Sequence, residues 1–427
     1  MGSSRGGSSR SAGSRRRPAR RRPRAPNVAD RSAEQLFDPV LRGPAKALLV
    51  EEDPLHAECW ASELLGMLEQ PLRDGDPVQL LGAGLVRCAQ RQGTRAGLAA
   101  LLAVASVAPG PLARQAAAAA RQLAARGPSA PAWSAAVGRA ALTGTWLAGD
   151  DFGDQDLLIA GFAYPDGSEH SLAVLIDHNL MDMAKDAHPG PPLQEMLEQW
   201  RGRDRHIRVT EVDPRRAAGL LAQALEATDL IMDPPVTDDF RRMRALVRAR
   251  LRGMPAPERP SRPELDDEAR EALVADFLAS PEGAELAHDE GAWFICDALV
   301  DYRCDYGDGL PLRWSPILVE LCLFEHFTRR VSLDAEALAA VPEVLGRWVR
   351  YCGRRQALAP ELVDETLGAL EEFREQFAAA GRDPTRFGMA KRIAMQLAAD
   401  EVDTDDDDAV QAWIAQYNAG LAGRPLD

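Results

Sequence analysis

The sequence predicts a mainly helical α+β protein, with a helical N-terminal domain, a small α+β domain containing a β-hairpin, and an all-α C-terminal domain. Strand-like patterns occur only between about residues 157 and 212, while helical spacing of apolar residues dominates elsewhere. A proline-rich stretch at 253–263 separates two long segments. At 427 residues, the chain is long enough for two or three domains, each with its own core.

The predicted organisation has five segments, beginning with an Arg-rich tail. Because the tail consists mainly of Gly, Ser, Arg and Pro and has little to bury, we expect it to be disordered. A helical domain, a small α+β domain, a proline-rich linker and a second helical domain follow it. The boundaries are 1–27, 28–127, 128–252, 253–263 and 264–427.

Charge is divided unevenly between the tail and the rest of the chain. Residues 1–24 contain nine arginines and no acidic residue, whereas the whole chain has a net charge of −15, which leaves about −24 for the remainder. This pattern predicts a basic arm that contacts nucleic acid through phosphates. A tail that is only solvated is the alternative interpretation.

Composition predicts a cytoplasmic protein without membrane contact. No apolar segment follows the arginines, so the tail lacks the features of a signal peptide. No apolar run approaches the roughly 18 residues that a membrane-spanning helix needs. The six cysteines include no CxxC pair, which favours buried, reduced thiols.

In the N-terminal domain, apolar residues recur at intervals of three or four positions, as in helices. Three helices are predicted at 77–92, 94–108 and 111–125, separated by Gly93 and by a Pro-Gly-Pro sequence. Short helices with tight connections are typical of a small bundle or a solenoid-like stack.

The small domain is predicted to contain a hairpin and a third strand. Apolar runs at 157–164 and 170–176 flank the turn Pro-Asp-Gly-Ser, and the third strand is expected at 206–212. Both faces of the second run are largely apolar, so we expect layers on both sides. One of these faces consists of His170, Leu172, Val174 and Ile176. The acidic residues before the hairpin are interpreted as solvated; they are Asp150, Asp151, Asp154 and Asp156.

Helices are expected around these strands and through the C-terminal domain. We predict a short helix at 133–141, a helix that Asp213-Pro214 opens, a helix that Thr237 caps and an apolar helix that Ser315 caps. The helix that Thr237 caps carries six arginines. These arginines could contact phosphates, but we favour the interpretation that they solvate the helix. Pro342 is expected to break or begin a helix. The lone His326 is expected to be an interior or boundary residue.

Residues that could perform chemistry gather at the exit of the second hairpin strand. They are Asp177, His178, Asp182, Asp186 and His188. Carboxylates and imidazoles are accepted ligands of divalent metals, so the set is a candidate metal site. If residues 179–187 are helical, two of the carboxylates lie one turn apart on one face. A polar loop with helix caps is the alternative, and no organic cofactor is predicted.

Three further stretches stand out, namely DPLHAECWAS at 53–62, IDHNL at 176–180, and LRWSP at 312–316 with VPEVL at 341–345. In these, the chain resembles a family of uncharacterised actinobacterial proteins, over nearly all of its length after the tail. The resemblance implies a cytoplasmic bacterial protein. It implies no catalytic residues, since no activity is known for the family.

The sequence supports two alternative functions. We favour a non-enzymatic binding or regulatory protein with a basic N-terminal arm and a protein partner, because the chain has well-formed apolar patterns but no GxSxG, HExxH, Walker loop or zinc-spaced cysteine set. The alternative is a metal-dependent hydrolase that uses the 177–188 cluster. The metal content of the purified protein distinguishes the two.

Overall fold

The computed structural model describes residues 28–68, 77–261, 264–403 and 406–422. Within these ranges it contains 15 α-helices and one five-stranded antiparallel sheet, which confirms the predicted mainly helical α+β class. The prediction of a disordered tail at 1–27 lies outside the described residues. None of the helices in the described ranges is long and apolar enough to cross a lipid bilayer.

In the described ranges, five α-helices precede the sheet. They are α1 Val28–Arg42, α2 Pro54–Gly66, α3 Pro77–Gln92, α4 Arg95–Val107 and α5 Gly110–Ala124. The last three agree with the predicted helices to within one residue at each end. Gly93 follows α3 with a φ of 65°, a left-handed conformation that ends a helix at little steric cost in glycine. Thr94 then caps α4 by accepting from the Gly97 N–H.

The sheet has the strand order β4-β3-β2-β1-β5, and every neighbouring pair is antiparallel. Its strands are β1 Ala141–Asp150, β2 Gln155–Ala163, β3 Glu169–Asp177, β4 Met183–Gly190 and β5 Ile207–Glu211. The predicted hairpin is confirmed as β2 and β3, and the third predicted strand as β5. Strands β1 and β4 were not predicted.

Near the sheet, one condition of the sequence analysis is not met and one prediction is wrong. Residues 179–187 do not form an α-helix, because Met181 and Asp182 adopt left-handed conformations that reverse the chain and let Met183 pair with Asp177. The short helix expected at 133–141 is a 3-10 turn at Ala132–Ala135, and β1 begins soon afterwards.

Both faces of the sheet are covered, as the apolar strand pattern predicted. Three helices are associated with the sheet: α6 Leu193–Trp200, α7 Pro214–Leu230 and α8 Asp238–Arg252. One face, including Leu172 and Val174, shares a single apolar core with α7, α8 and the N-terminal helices. The opposite face, including Ile159 and Ala173, packs on α6.

Among the residues that the structure describes, seven α-helices follow the proline-rich linker. They are α9 Asp267–Leu278, α10 Glu290–Asp305, α11 Pro316–Leu321, α12 Ala335–Arg355, α13 Pro360–Ala380, α14 Met389–Ala399 and α15 Asp407–Ala422. Helices α9 to α13 contribute to a second apolar core. The predicted Ser315 cap is confirmed, and a π-helical segment, Cys322–Phe327, continues α11.

Pro342 does not break or begin a helix, contrary to the prediction. It lies inside α12, and its ring is buried. Proline removes one backbone hydrogen bond from a helix interior. Here the neighbouring side chains Val341 and Leu345 are fully buried in the second core, and this packing outweighs the lost bond.

Candidate functional site

His178 lies between two carboxylates at the end of the sheet. Its Nδ1 lies 2.7 Å from Asp182 Oδ1, and its Nε2 lies 3.1 Å from Asp156 Oδ2. The ring satisfies both carboxylates as a donor only when each nitrogen carries a hydrogen. In that form neither nitrogen has a lone pair for a metal ion.

A turn of unusual conformation places Asp182 against this ring. Met181 and Asp182 have φ values of 57° and 59°, in the left-handed region that non-glycine residues seldom adopt. The Asp182 carboxylate also accepts a hydrogen bond from Gln223 Nε2 on α7 at 3.2 Å. Contacts from both sides therefore hold the carboxylate and offset the backbone strain.

The remaining three candidates have separate roles. The buried Asp177 carboxylate accepts from Gln155 Nε2 and from Lys185 Nζ, each at 3.0 Å. Asp186 accepts from the hydroxyl of Thr237, the residue that caps α8, at 2.5 Å. His188 is exposed on β4, in register with Ala173.

Strand geometry explains why the five side chains do not converge. Asp177, Asp186 and His188 lie at three successive levels of the β3–β4 ladder, opposite positions two residues apart on β3. Two residues along a strand span about 7 Å, whereas zinc ligands lie about 2 Å from one ion. In the part of the chain that the structure describes, no group of three or more His, Cys, Asp or Glu could hold a metal ion.

A second polar cluster, centred on Arg313, joins this end of the sheet to the C-terminal helices. The guanidinium donates from Nη1 to Asp154 Oδ1 at 2.8 Å, from Nη2 to Asn179 Oδ1 at 2.8 Å, and from Nε to Asp308 Oδ2 at 2.6 Å. Arg303, which is fully buried, pairs with the same Asp308 carboxylate. We call these five residues the Arg313 cluster.

Asp154 is the acceptor that gathers three segments in the Arg313 cluster. Besides Arg313, its Oδ1 accepts from Ser315 Oγ at 2.8 Å and from Asn179 Nδ2 at 3.0 Å. Ser315 in turn caps α11. Asp154 is 5% exposed, so its interpretation as a solvated acid is wrong. The resembling stretches at 176–180 and 312–316 meet here.

A third cluster is buried between α2, the hairpin and α8. Arg250 forms an ion pair with Glu58, and the Tyr164 hydroxyl donates to the same carboxylate at 2.6 Å. The other Glu58 oxygen accepts from the Gly138 N–H at 2.6 Å. Arg250 also donates to His170 Nε2 at 3.1 Å. We call Glu58, Tyr164, His170 and Arg250 the Glu58 cluster.

Burial sets the protonation of the Glu58 cluster. Burial, reinforced by the Arg250 charge, lowers the pKa of His170 to about 3. The ring is therefore neutral at pH 7 and accepts from the guanidinium. Burial also raises the pKa of Tyr164, which keeps its hydroxyl as a donor. Arg250 thus belongs to the interior and not to a basic surface.

The other arginines of α8 are also engaged within the protein. Arg244 and Arg248 pair with Asp229, while Arg252 donates to the backbone carbonyls of Val107 and Ala108. These contacts neutralise or anchor much of the charge that could otherwise contact phosphates. They count against the phosphate-contacting interpretation of these arginines, and the burial of Arg250 shows that the preferred interpretation, solvation of the helix, does not hold for all of them.

His326 lies in the π-helical segment, among aromatic rings. It is 5% exposed, and within the described residues its ring nitrogens make no well-formed hydrogen bond, although the Ala298 backbone lies close enough to interact with the ring. Burial lowers its pKa to about 4, with Arg330 acting in the same direction and the Ala298 backbone opposing both. Ring centroids of Tyr302 and Tyr306 lie 4.9 and 5.8 Å away. An interior role agrees with the sequence prediction.

Comparisons of the chain with protein-family models, curated proteins and solved structures found no match. Function is therefore argued from the side chains themselves.

Proposed function

We propose that this protein is a non-enzymatic binding or regulatory protein. The observation that supports the proposal is that polar residues at the end of the sheet bind one another and the C-terminal part of the chain. Asp154, Asn179 and Arg313 are engaged in contacts that join the sheet to the C-terminal helices. Polar groups held in this way position parts of a scaffold and are not free to bind a substrate.

The cavities support the same proposal. Cavities of about 330 to 520 Å³ occur in the described ranges, within the size range of small-ligand sites. These cavities lie between helices or at helix ends, and none of them is lined by residues of the 177–188 cluster. They are therefore separate from the candidate catalytic residues.

Metal analysis tests this proposal against the metal-dependent hydrolase. Full-length protein purified without chelator should contain no stoichiometric metal, show no thermal shift with zinc, manganese or magnesium, and hydrolyse no model ester or phosphodiester. Bound metal stabilises a native state by mass action, so a site would raise the melting temperature. Stoichiometric metal with hydrolysis, both lost in Asp177→Ala/His178→Ala but kept in Asp166→Ala, would overturn the proposal.

A second proposed activity is nucleic-acid binding by the Arg-rich arm. Nine arginines without an acidic residue supply charge for sequence-independent phosphate contacts, against a remainder of about −24. Binding to duplex or single-stranded DNA should fall steeply as salt rises. A protein lacking residues 1–27 should lose that binding, and equal binding by both forms would assign it elsewhere.

A cytoplasmic location and the resemblance to actinobacterial proteins remain parts of the proposal. In the described residues, none of the six cysteines forms a disulfide, and four are buried, which suits a reducing compartment. Burial raises the pKa of the Cys59 and Cys296 thiols to about 12, so neither is a reactive thiolate at neutral pH. Fractionation of the native host with an antibody tests the location.

A further inference from the structure

Two aromatic side chains are exposed to solvent near the start of α10. Trp293 is 41% exposed and the adjacent Phe294 is 47% exposed, although each ring is large and mainly apolar. Helical spacing places Phe294 on one outward stripe with Asp297 and Asp301, and Trp293 borders this stripe. Both carboxylates are partly exposed. The outward side of α10 therefore combines aromatic rings with acidic groups.

Helix α9 adds further negative charge beside this stripe. Burial, together with the charges of Asp301 and Glu271, raises the pKa of Asp297, while Arg270 acts in the opposite direction. Arg270 binds both Asp301 and Asp305 on α10. In the part of the chain that the structure describes, no other basic side chain forms an ion pair with these four carboxylates. We call the surface formed by Glu271, Trp293, Phe294, Asp297 and Asp301 the α10 face.

The Arg-rich arm, residues 1–27, has the chemistry that complements the α10 face. Residues 1–24 contain nine arginines and no acidic residue. A guanidinium group stacks on an aromatic ring and also binds carboxylates, and it does so better than an ammonium group. A surface that offers both aromatic rings and unbalanced carboxylates therefore favours arginine-rich segments over neutral ones.

The arm is also long enough to reach the α10 face. It joins the described part of the protein at Val28, the first residue of α1. A segment of 27 residues extends up to about 90 Å. A compact chain of 427 residues has a radius of gyration of only about 22 Å. The length of the arm therefore covers the distance from α1 to any part of the surface.

We propose that the Arg-rich arm docks on the α10 face of its own chain and that this contact competes with nucleic acid for the arm. Arginine side chains would stack on Trp293 and Phe294 and pair with Glu271 and Asp297. A tethered segment has an effective concentration in the millimolar range, so a weak contact is still well populated. Such an exposed contact adds little to the stability of the fold. This inference rests on the proposed nucleic-acid binding by the arm and adds its regulation.

The first test measures docking between separate molecules. A fluorescein-labelled peptide of residues 1–27 is added at low salt to full-length protein in which the nine arm arginines are replaced by serine, and binding is followed by fluorescence anisotropy. We expect saturable binding that weakens as salt rises. A peptide with lysine at every arginine position should bind about threefold more weakly, because an ammonium group stacks less well on aromatic rings. Equal affinity of the two peptides would overturn the proposal.

Matched charge variants locate the contact. Glu271→Gln/Asp297→Asn removes two charges from the α10 face and should weaken peptide binding about fivefold, the sum expected for two exposed ion pairs. Glu372→Gln/Glu375→Gln removes the same charge from exposed positions of α13 and should change the affinity less than about twofold. Circular dichroism checks that both variants keep the fold. Equal weakening in the two variants would mean that only net charge matters, and it would overturn the proposal.

A third variant tests the rings and the competition with nucleic acid. Trp293→Ser/Phe294→Ser keeps every charge and should weaken peptide binding about fivefold through the lost stacking. In the chain with its native arm, the same variant should bind an oligo-dT strand about threefold more tightly at low salt, because a larger fraction of the arms is free. Unchanged oligo-dT affinity would overturn the regulation. Peptide docking without any oligo-dT binding would instead refute the nucleic-acid function, so the two failures are distinguishable.

Discussion

Acidification from pH 7.5 to 5 should destabilise the protein through two buried histidines. His170 and His326 have pKa values lowered to about 3 and about 4 from an ordinary 6.5, with burial as the largest cause. In the unfolded chain, both rings take up a proton near pH 6.5. The unfolded state then binds more protons than the folded state, so the free energy of unfolding falls as pH drops below 6.5.

The magnitude follows from the pKa differences. At pH 5 the unfolded rings are 1.5 units below their ordinary pKa, and the folded rings remain largely neutral. Each unit corresponds to about 1.4 kcal/mol, so each histidine contributes a loss of about 2 kcal/mol. Together they remove about 4 kcal/mol, a large part of the 5 to 15 kcal/mol typical of a folded domain.

His326→Phe isolates one of the two contributions. The new ring keeps the packing against Tyr302 and Tyr306 and removes two buried nitrogens that make no well-formed hydrogen bond within the described residues. We therefore expect stability at pH 7.5 to be unchanged or higher. The loss between pH 7.5 and 5 should shrink by about 2 kcal/mol. His288→Phe is the matched control, because His288 is exposed.

Urea unfolding, followed by circular dichroism at both pH values, measures these differences. His170 and His326 adjoin different apolar cores, so separate unfolding of the cores would assign the His326 effect to the C-terminal transition. An acid-induced loss in His326→Phe equal to that of the wild type would refute the reasoning. So would a similar reduction in His288→Phe.

Three further predictions concern the buried ion pairs and the tail. Arg313→Met leaves the buried Asp154 carboxylate without its cation, while Asp308 keeps Arg303, and should lower the free energy of unfolding by about 3–5 kcal/mol, whereas Arg374→Met, at an exposed pair, should change it by less than about 1 kcal/mol. Glu58→Gln leaves Arg250 without a counter-charge, and urea unfolding should show a loss of about 3 kcal/mol or more. Deleting residues 1–27 should leave the melting temperature unchanged, and a drop of several degrees would contradict that expectation.

Much of the helical structure was predictable because its signals are local. Thr237 and Ser315 cap helices through their own side chains, and each is followed within a turn by the N–H group that it binds. The covered faces of β3 were visible in its continuous apolar sequence.

The two missed strands lack strong local signals. Strand β1, ALTGTWLAGD, contains two glycines and no Val or Ile, although Thr143, Thr145 and Trp146 favour a strand. Strand β4 ends in Pro189-Gly190, residues that usually mark a break. Strand β4 pairs with β3. In addition, its backbone carbonyls accept hydrogen bonds from the hydroxyl of Thr228 and from the N–H of Thr237. Tertiary contacts therefore complete a strand that its own sequence specifies weakly.

The site was predictable in part. Because His178 and Asp182 are close in sequence, their contact was predictable. The contact of Asp156 with the same ring, from β2, was not. It also gave no indication that Arg313 would bind Asp154, because 159 residues separate them. The sequence offered only weak signals of this contact, namely an acidic residue at the start of a strand and the LRWSP stretch.

The Arg313 cluster fixes the loop between α10 and α11 against the sheet. Asp308 and Arg313 anchor the ends of this loop, while the intervening Gly309 to Leu312 form one wall of a cavity beside α9. Buried ion pairs often add little net stability compared with apolar packing, so their value here lies in geometry. Because Arg313 binds Asp154 and Asn179, the position of that wall depends on the sheet. The α+β part of the chain therefore helps to set the shape of a cavity on the C-terminal helices.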